Sequence, residues 1–304
     1  MYPKFEIFNL SEEEIPFNPE QMGTKEKFWF FDKNGAKALF KYSRSNTGED
    51  WAEKIACEIA HSLEIPCAHY ELANLGDKPG VISYSILPDK GSLVLGDEIL
   101  GANEEYPKSL KFRNRQYTLK RVLKAIEQAS LLRPLSATLP AWMTPIDIFI
   151  GYLLLDGLIG NTDRHHENWG IIINKNQLDK NSSQYLAETF DHASSLGREL
   201  RDDARKLRLT NDKLFQKYRH KCHSAFYASE DDNKPLLCID AFFNAALKNR
   251  AALRYWLKKL QALDFLMILD RIPEKRFSET AFAFSKRILH ENKTEILKRG
   301  LAFL

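Results

Sequence analysis

The sequence predicts an α+β protein of two lobes, a small lobe of strands with one helix followed by a larger, mostly helical lobe. Two observations support this prediction. Over the first 87 or so residues, short strand-like runs flank a single amphipathic helix. From about residue 118 the pattern becomes helical and stays so over most of the remaining chain. The predicted boundaries are therefore 1–87 for the N-lobe, 88–117 for a hinge and connecting segment, and 118–304 for the C-lobe.

The composition is typical of a globular chain that is long enough to bury a sizeable core. Of the 304 residues, 44% are hydrophobic and 28% are charged, which excludes a disordered or collagen-like protein. The net charge of +3 is too small to indicate nucleic-acid binding. Four cysteines without a CxxC pair predict reduced, packed thiols in a cytoplasmic protein rather than a disulfide framework or a zinc site. No secretory leader is visible at the start of the sequence.

A β-hairpin is predicted early in the N-lobe. Asn34 and Gly35 separate strand-like runs at 27–31 and 36–42, and an Asn-Gly pair suits the positive φ angles of a type I′ turn. This hairpin puts Lys41 near the end of a strand. The rest of the lobe is predicted as a helix over Glu49–Leu63 and two strands, at 69–73 and 80–87, joined by a turn at 76–80.

A buried helix is predicted to begin after Thr144 in the C-lobe. Thr144 can cap the helix, Pro145 suits its first position, and Asp147 has the position of a capping-box acid. The apolar run 146–159 that follows is too short and too polar for a membrane span, so we interpret it as a buried helix that ends at Gly160.

The polar loop after this helix, at 161–168, has the spacing of a protein-kinase catalytic loop. Asp163 is followed five residues later by Asn168. In kinases this Asp accepts the proton of the substrate hydroxyl, and the Asn holds Mg²⁺. The neighbouring His165 and His166 cannot both face one cation from regular structure, so we interpret His165 as a side chain that orients the loop.

The order of elements after the loop strengthens this interpretation. Two strand-like runs at 169–173 and 184–190 lead to Asp191, in the place of the kinase Asp that chelates the metal bridging the phosphates. Carboxylate and amide oxygens are suitable Mg²⁺ ligands. The sequence therefore predicts Asn168 and Asp191 as metal ligands.

The N-lobe supplies candidates for nucleotide binding. A strand lysine paired with a helix glutamate holds the phosphates in kinases, and Lys41 and Glu53 fit these positions, with Glu58 as the competing acid. No G-x-G-x-x-G motif precedes the hairpin. Phosphate contacts are therefore expected from a loop that contains Gly23, Thr24 and Lys25.

These motifs together resemble the HipA-like serine/threonine kinases of bacteria, in the compact form represented by HipT and CtkA. The similarity rests on Gly160–His165 with Asn168, on Phe190-Asp191-x-Ala193-Ser194-Ser195-Leu196-Gly197, and on the Lys41, Glu53 and 80–85 patterns. The resemblance implies a two-lobed protein-kinase-like fold that binds ATP and Mg²⁺. It also implies Asp163 as catalytic base, Lys41 as phosphate lysine, and the backbone of Ser85, Ile86 and Leu87 as adenine-binding hinge.

Other functions remain open at the level of sequence. A phosphoinositide-type lipid kinase uses a similar Asp, Asn and Asp set, and a non-catalytic pseudokinase or interaction module is a further alternative. For a toxin or secreted effector kinase, the resemblance implies protein substrates such as aminoacyl-tRNA synthetases, autophosphorylation, and a possible antitoxin partner. Neither direct nucleic-acid binding nor a membrane span is expected. Delivery into a host cell is the alternative to a cytoplasmic location.

Overall fold

The N-lobe is a five-stranded sheet packed against one helix. The computed structural model describes residues 2–11, 27–102, 105–174 and 183–303. The elements of the N-lobe are, in chain order, β1 (Ile7–Leu10), β2 (Lys27–Phe31), β3 (Lys37–Tyr42), α1 (Glu49–Ser62), β4 (Tyr70–Leu75) and β5 (Lys78–Tyr84). The strands follow the order β1-β4-β5-β3-β2, in which β1 is parallel to β4 and the other pairs are antiparallel.

The predicted Asn-Gly hairpin is confirmed. Strand β2 pairs with β3 in a register that sets Lys27 opposite Lys41, and Gly35 has a φ of +80° in the turn. The predicted limits of the last two strands were less accurate. Because Gly76 has a φ of +55°, a two-residue turn suffices, and pairing between β4 and β5 already begins at Leu75 and Lys78. Strand β5 correspondingly ends at Tyr84, so the residues that follow form a separate segment.

Helix α1 packs one face of the sheet onto the main core of the molecule. Its buried face includes Trp51, Ile55 and Ile59, which join a core that continues into the C-lobe. The other face of the sheet carries a small separate cluster that contains Phe28 and Phe40. The main core therefore buries the side of the sheet that faces α1. The same core buries the central helix of the C-lobe.

The C-lobe is mostly helical. After strand β6 (Gly91–Leu95) and helix α2 (Gly96–Leu100), its elements are α3 (Leu119–Gln128), α4 (Pro145–Ile159), β7 (Gly170–Asn174), β8 (Ser183–Leu186), α5 (Asp202–Thr210), α6 (Asp212–Arg219), α7 (Cys238–Ala246), α8 (Arg250–Ala262), α9 (Leu266–Leu269) and α10 (Glu279–Gly300). A short 3-10 helix, Leu301–Phe303, follows α10. Strands β6, β7 and β8 form an antiparallel sheet, so the connecting segment 88–117 contributes a strand and a short helix that its loose sequence pattern did not predict.

The central helix α4 has the ends that the sequence predicts. The Thr144 hydroxyl accepts a hydrogen bond from the Asp147 backbone N–H, and the Asp147 carboxylate accepts one from the Thr144 N–H, which completes a capping box. Gly160 ends the helix with a φ of +67°. Almost all of α4 is buried, as its mostly apolar sequence predicts. Within the described ranges, no helix is both long and apolar enough to cross a membrane.

Polar contacts near the start of α1 join the two lobes. Arg276, just before α10, contacts Asp50 on α1 with a 2.8 Å ion pair and donates to the backbone oxygen of Ala73 in β4 at 2.7 Å. Both charged side chains of the pair are buried. At the same end of α1, the Gly48 N–H donates to the Arg198 backbone oxygen at 2.8 Å. These contacts hold α1, and with it the sheet, against the C-lobe.

Candidate active site

The 161–168 loop is anchored to α4 by a buried ion pair. Arg164 donates from Nε and Nη2 to the two carboxylate oxygens of Asp156, each at 2.8 Å, and both side chains are almost fully buried. Asp156 Oδ1 also accepts a hydrogen bond from the Asn161 side-chain amide at 2.8 Å. Arg164 Nη1 also donates to the backbone oxygens of Asn168 and Phe190, at 2.6 and 3.2 Å. One buried guanidinium therefore connects α4, the loop and the residue that precedes Asp191.

Asp163 and Asn168 are held at the two ends of this loop. The Asn168 side-chain amide donates to the Asp163 backbone oxygen at 2.5 Å, so its nitrogen is used within the loop and its oxygen is the atom suited to a cation. The Asp163 carboxylate accepts from the Ser194 hydroxyl at 3.3 Å and is about 30% exposed. A partly exposed carboxylate at this position can reach a substrate hydroxyl.

His165 contacts two other residues of the loop, Glu167 and Asp163. Its Nδ1 accepts from the Glu167 N–H at 3.1 Å, and its Nε2 lies 3.5 Å from Asp163 Oδ1. Burial lowers the pKa of His165 below its ordinary value, so the imidazole is neutral at pH 7. A neutral ring that accepts at Nδ1 carries its proton on Nε2, on the side of Asp163.

Asp191 lies at the junction of the two lobes in an unusual backbone conformation. Its φ is +61°, a region that favours Gly, Asn and Asp. Its N–H donates to the Tyr70 hydroxyl at 3.1 Å, and its Oδ1 lies 3.4 Å from Nζ of Lys41. A strained conformation held by contacts from the other lobe is characteristic of functional sites.

The charge of Lys41 is maintained by its surroundings. Burial alone would lower the pKa of Lys41, but the Asp191 carboxylate, with smaller effects of Tyr70 and Glu53, more than offsets burial and raises the pKa above its usual value. The Lys41 ammonium also lies 5.6 Å from the centroid of the Tyr70 ring. Lys41 is therefore a fixed cation that points into the space between the lobes.

The expected ion pair between Lys41 and Glu53 takes a different form. Glu53, which is 1% exposed, accepts from the backbone N–H groups of His192 and Ala193 at 2.7 and 3.1 Å, and its Oε1 lies 3.2 Å from His192 Nδ1. Lys41 pairs instead with Asp191. The charge of Glu53 thus helps to raise the pKa of Lys41 without a direct contact. Glu53 holds the segment after Asp191 directly, through hydrogen bonds.

The competing acid of the same helix has another role. Glu58 pairs with Lys54 at 2.7 Å, on the side of α1 that faces β4, where Lys54 also contacts Glu71 and the Tyr70 backbone oxygen. Of the two acids, the structure therefore brings only Glu53 to the Asp191 segment.

Three of the remaining nucleotide-binding candidates follow the last strand of the N-lobe. Ser85, Ile86 and Leu87 directly follow β5 and are half-buried; the Ser85 N–H donates to the Lys37 backbone oxygen, and the Leu87 N–H donates to the Ser85 hydroxyl. Such a segment leads from one lobe to the other. Gly23, Thr24 and Lys25 lie outside the described residues.

Several residues at the site were not predicted as functional. Asp156 and Arg164 could have been recognised because a charge in an otherwise apolar helix requires a buried partner, and an arginine stood nearby in the next loop. Tyr70 and Ser194 gave no such signal, since a strand tyrosine and a loop serine are common. Their roles depend on contacts across 121 and 31 residues of sequence.

The donor atoms at the site suit a hard divalent cation. Asp191 supplies carboxylate oxygens and Asn168 an amide oxygen, both of which Mg²⁺ prefers over nitrogen or sulfur ligands. Arg164 binds the backbone of Asn168 and of Phe190, and it thereby holds the two ligand-bearing segments side by side. The residues present therefore fit Mg²⁺.

Comparison with known proteins identifies the fold. No protein-family model and no curated protein matches the chain. Among solved structures, the chain is similar to the proinflammatory kinase CtkA of Helicobacter pylori, with a TM-score of 0.74 and 20% identity, over 98% of this chain and 99% of that chain. It is also similar to HipA of Shewanella oneidensis, solved with HipB and operator DNA, with a TM-score of 0.51 and 12% identity.

The second similarity covers 92% of this chain but only 64% of the Shewanella chain, so the present sequence corresponds to about two thirds of that protein. The two neighbours confirm the predicted two-lobed α+β, kinase-like fold. They also confirm, at the level of the fold, the resemblance to HipA-like kinases of the compact CtkA type.

Proposed function

We propose that the chain is an ATP- and Mg²⁺-dependent serine/threonine protein kinase of HipA-like type. One observation carries the proposal: a buried, protonated lysine of the N-lobe pairs with Asp191 of the C-lobe, beside a loop that presents Asp163 and Asn168. A lysine, a general base and two oxygen ligands are the groups that phosphoryl transfer requires. The fold shared with a bacterial kinase supports the same conclusion.

Each residue then has a defined task. Asp163 accepts the proton of the attacking hydroxyl, while the hydroxyl of Ser194 and the neutral ring of His165 fix its orientation. Asn168 and Asp191 would hold Mg²⁺, which neutralises charge on the β- and γ-phosphates when it is bound. When the nucleotide binds, Lys41 gives up part of its contact with Asp191 and contacts the phosphates instead. Catalysis of this kind is mainly positioning and electrostatic stabilisation.

The nucleotide is proposed to lie between the lobes as the predicted boundaries imply. The backbone of Ser85, Ile86 and Leu87 would bind the adenine, with the phosphates directed to Lys41 and to the loop that contains Gly23, Thr24 and Lys25. In this arrangement 1–87 forms the N-lobe, 88–117 leads out of the hinge, and 118–304 forms the C-lobe.

The experiment compares the wild type with Asp163→Ala in radiolabelled ATP and Mg²⁺, alone and with added protein extract. Removal of a general base is expected to lower the rate at least a hundredfold. Asp77→Ala, in the exposed turn between β4 and β5, is the matched control and should keep full activity. Mass spectrometry of the labelled bands identifies the phosphorylated residues.

The outcomes separate the alternatives. Label on Ser or Thr in the wild type and in Asp77→Ala, but lost in Asp163→Ala, supports the proposal. Nucleotide binding without protein label in either chain would contradict it and would favour a lipid kinase or a non-catalytic module. Label on Tyr alone would contradict the serine/threonine assignment.

A further inference from the structure

A cysteine and two histidines converge where α1 lies next to the start of β4. Cys57 and His61 are four residues apart on α1 and therefore lie on one face of the helix. The Cys57 sulfur lies 3.9 Å from His61 Nδ1. His69, which directly precedes β4, stacks on His61 with ring centroids 5.7 Å apart. One donor atom from each of these three residues lies within 4.8 Å of the other two. We call them the Cys57 cluster.

We propose that the Cys57 cluster is a binding site for Zn²⁺ or a similar borderline-soft divalent cation. One thiolate and two imidazoles are the ligands that Zn²⁺ prefers, whereas Mg²⁺ and Ca²⁺ prefer oxygen. With Zn–S and Zn–N bonds of about 2.3 and 2.0 Å, tetrahedral geometry sets the donors about 3.3 to 3.6 Å apart. Small rotations of the histidine side chains bring the three donors of the Cys57 cluster to these distances.

The surroundings of the cluster resemble those of built metal sites. His69 Nε2 lies 2.8 Å from Glu71 Oε1, and the other Glu71 oxygen is held by Lys54 at 2.8 Å. A carboxylate on the outer nitrogen of a histidine fixes the ring and leaves Nδ1 for the cation. The exposed rings of His61 and His69 stand above a fully buried Cys57, so a cation reaches the sulfur from solvent.

The second cysteine of this region lies beside the first. The sulfurs of Cys57 and Cys67 lie 3.5 and 3.3 Å from the same acceptor, the backbone oxygen of Ala68. The thiolate is the form that binds metals, so the Cys57 thiol would release its proton when the cation binds.

The position of the cluster gives a bound cation a structural effect. Cys57 follows Glu53 by about one turn of α1, and the backbone of Cys67 pairs with Thr189, two residues before Asp191. A cation that joins α1 to the start of β4 therefore stiffens both supports of the Asp191 segment. This consequence rests on the proposed kinase function, but cation binding itself does not.

The test is a titration of the full chain, freed of metal, with Co²⁺ and then with Zn²⁺, followed by absorption spectroscopy. We expect one Co²⁺ per chain with a thiolate-to-cobalt charge-transfer band that Zn²⁺ abolishes. His61→Ala changes an exposed helix position, so the chain still folds, and it should weaken binding at least tenfold. Cys57→Ser should remove the charge-transfer band.

Matched controls come from elsewhere in the chain. His290→Ala, on the exposed side of α10, and Cys222→Ser, in the C-lobe, should bind Co²⁺ like the wild type. Unchanged affinity in His61→Ala, or Co²⁺ binding without a thiolate band, would overturn the proposal and leave the cluster as a hydrogen-bonded group. If Cys57→Ser does not fold, His61→Ala decides. Repeating the titration with Asp163→Ala separates this result from any failure of the kinase proposal.

Discussion

The 161–168 loop is anchored within the C-lobe, whereas the segment 191–193 is anchored largely by the N-lobe. The loop depends on the buried pair between Arg164 and Asp156, both of which belong to the C-lobe. Asp191 and the two residues after it are held by Lys41, Glu53 and Tyr70. These are groups on β3, α1 and β4.

Because of this difference, substitutions in the two regions should affect stability and activity to different degrees. The contacts that hold Asp163 and Asn168 lie within the C-lobe. The position of Asp191 requires that the lobes also be correctly docked. Damage to the first region should therefore cost global stability, and damage to the second should cost activity more than stability.

The largest effect is expected for Asp156→Ala. This change leaves the Arg164 guanidinium buried without its partner, which costs about 3–5 kcal/mol of unfolding free energy. Denaturant unfolding followed by circular dichroism measures the loss. The control is Asp212→Ala, which breaks an exposed pair with Arg287 and should cost under about 1 kcal/mol. Equal losses in the two variants would show that the buried pair does not stabilise the loop.

A smaller effect, concentrated on activity, is expected for Glu53→Gln. The carboxylate accepts two backbone N–H bonds, and hydrogen bonds to charged groups contribute about 1.5–3 kcal/mol. If this energy positions Asp191, phosphotransfer should fall roughly tenfold to a hundredfold. The unfolding midpoint should shift less than in Asp156→Ala, because the segment can detach locally.

The matched control for this prediction is Glu58→Gln, five residues further along α1. Glu58 contacts Lys54, which keeps its bonds to Glu71 and to the Tyr70 backbone oxygen. Its activity should stay within about twofold of the wild type. Similar losses in both variants would mean that α1 acts through overall stability and not through the Asp191 segment.

The conformation of Asp191 can be separated from its charge. An L residue at positive φ costs about 1–2 kcal/mol, whereas Asn and Asp tolerate this region through local hydrogen bonds. Both variants lose the ion pair with Lys41, so the backbone effect is the difference between them: Asp191→Ala should be less stable than Asp191→Asn by about 1 kcal/mol. Both should lose phosphotransfer. If the two variants are equally stable, the backbone at this position is not strained.

The same comparison explains how much of the molecule could be predicted from sequence. The Asn34-Gly35 hairpin, the capping box at Thr144 and the Asp163 to Asn168 spacing are local, since the responsible residues lie within a few positions of one another. The predicted hairpin and the predicted capping box are confirmed. The kinase-like fold that the order of the motifs predicted is confirmed as well. The roles of the individual site residues remain predictions.

Contacts between distant segments could not be predicted in the same way. The partner of Glu53 proved to be the backbone at 192–193, because a backbone N–H has no sequence signature. The Cys57 cluster shows the same limit. Cys57 and His61 are visible as a helical pair, but His69 joins them only after the chain has turned at Pro66 and entered β4.

The smallest effect is expected at the Ser194 hydroxyl, which links the two regions directly. Ser194 donates to Asp163 at 3.3 Å and accepts from Arg198 at 3.1 Å. Loss of one such bond in Ser194→Ala costs about 1 kcal/mol, which corresponds to roughly a fivefold lower kcat. KM for ATP should not change, because Lys41 and Asp191 are untouched.

Ser194→Thr retains the hydroxyl and is the conservative control, which should restore most of the activity. Steady-state kinetics distinguish the possible causes. A lower kcat at constant KM means that the hydroxyl orients Asp163 for the chemical step. A raised KM at constant kcat would instead mean that Ser194 supports the Asp191 side of the site. In that case, Arg164, which donates to the backbone oxygens of Asn168 and Phe190, would be the main link between the two regions.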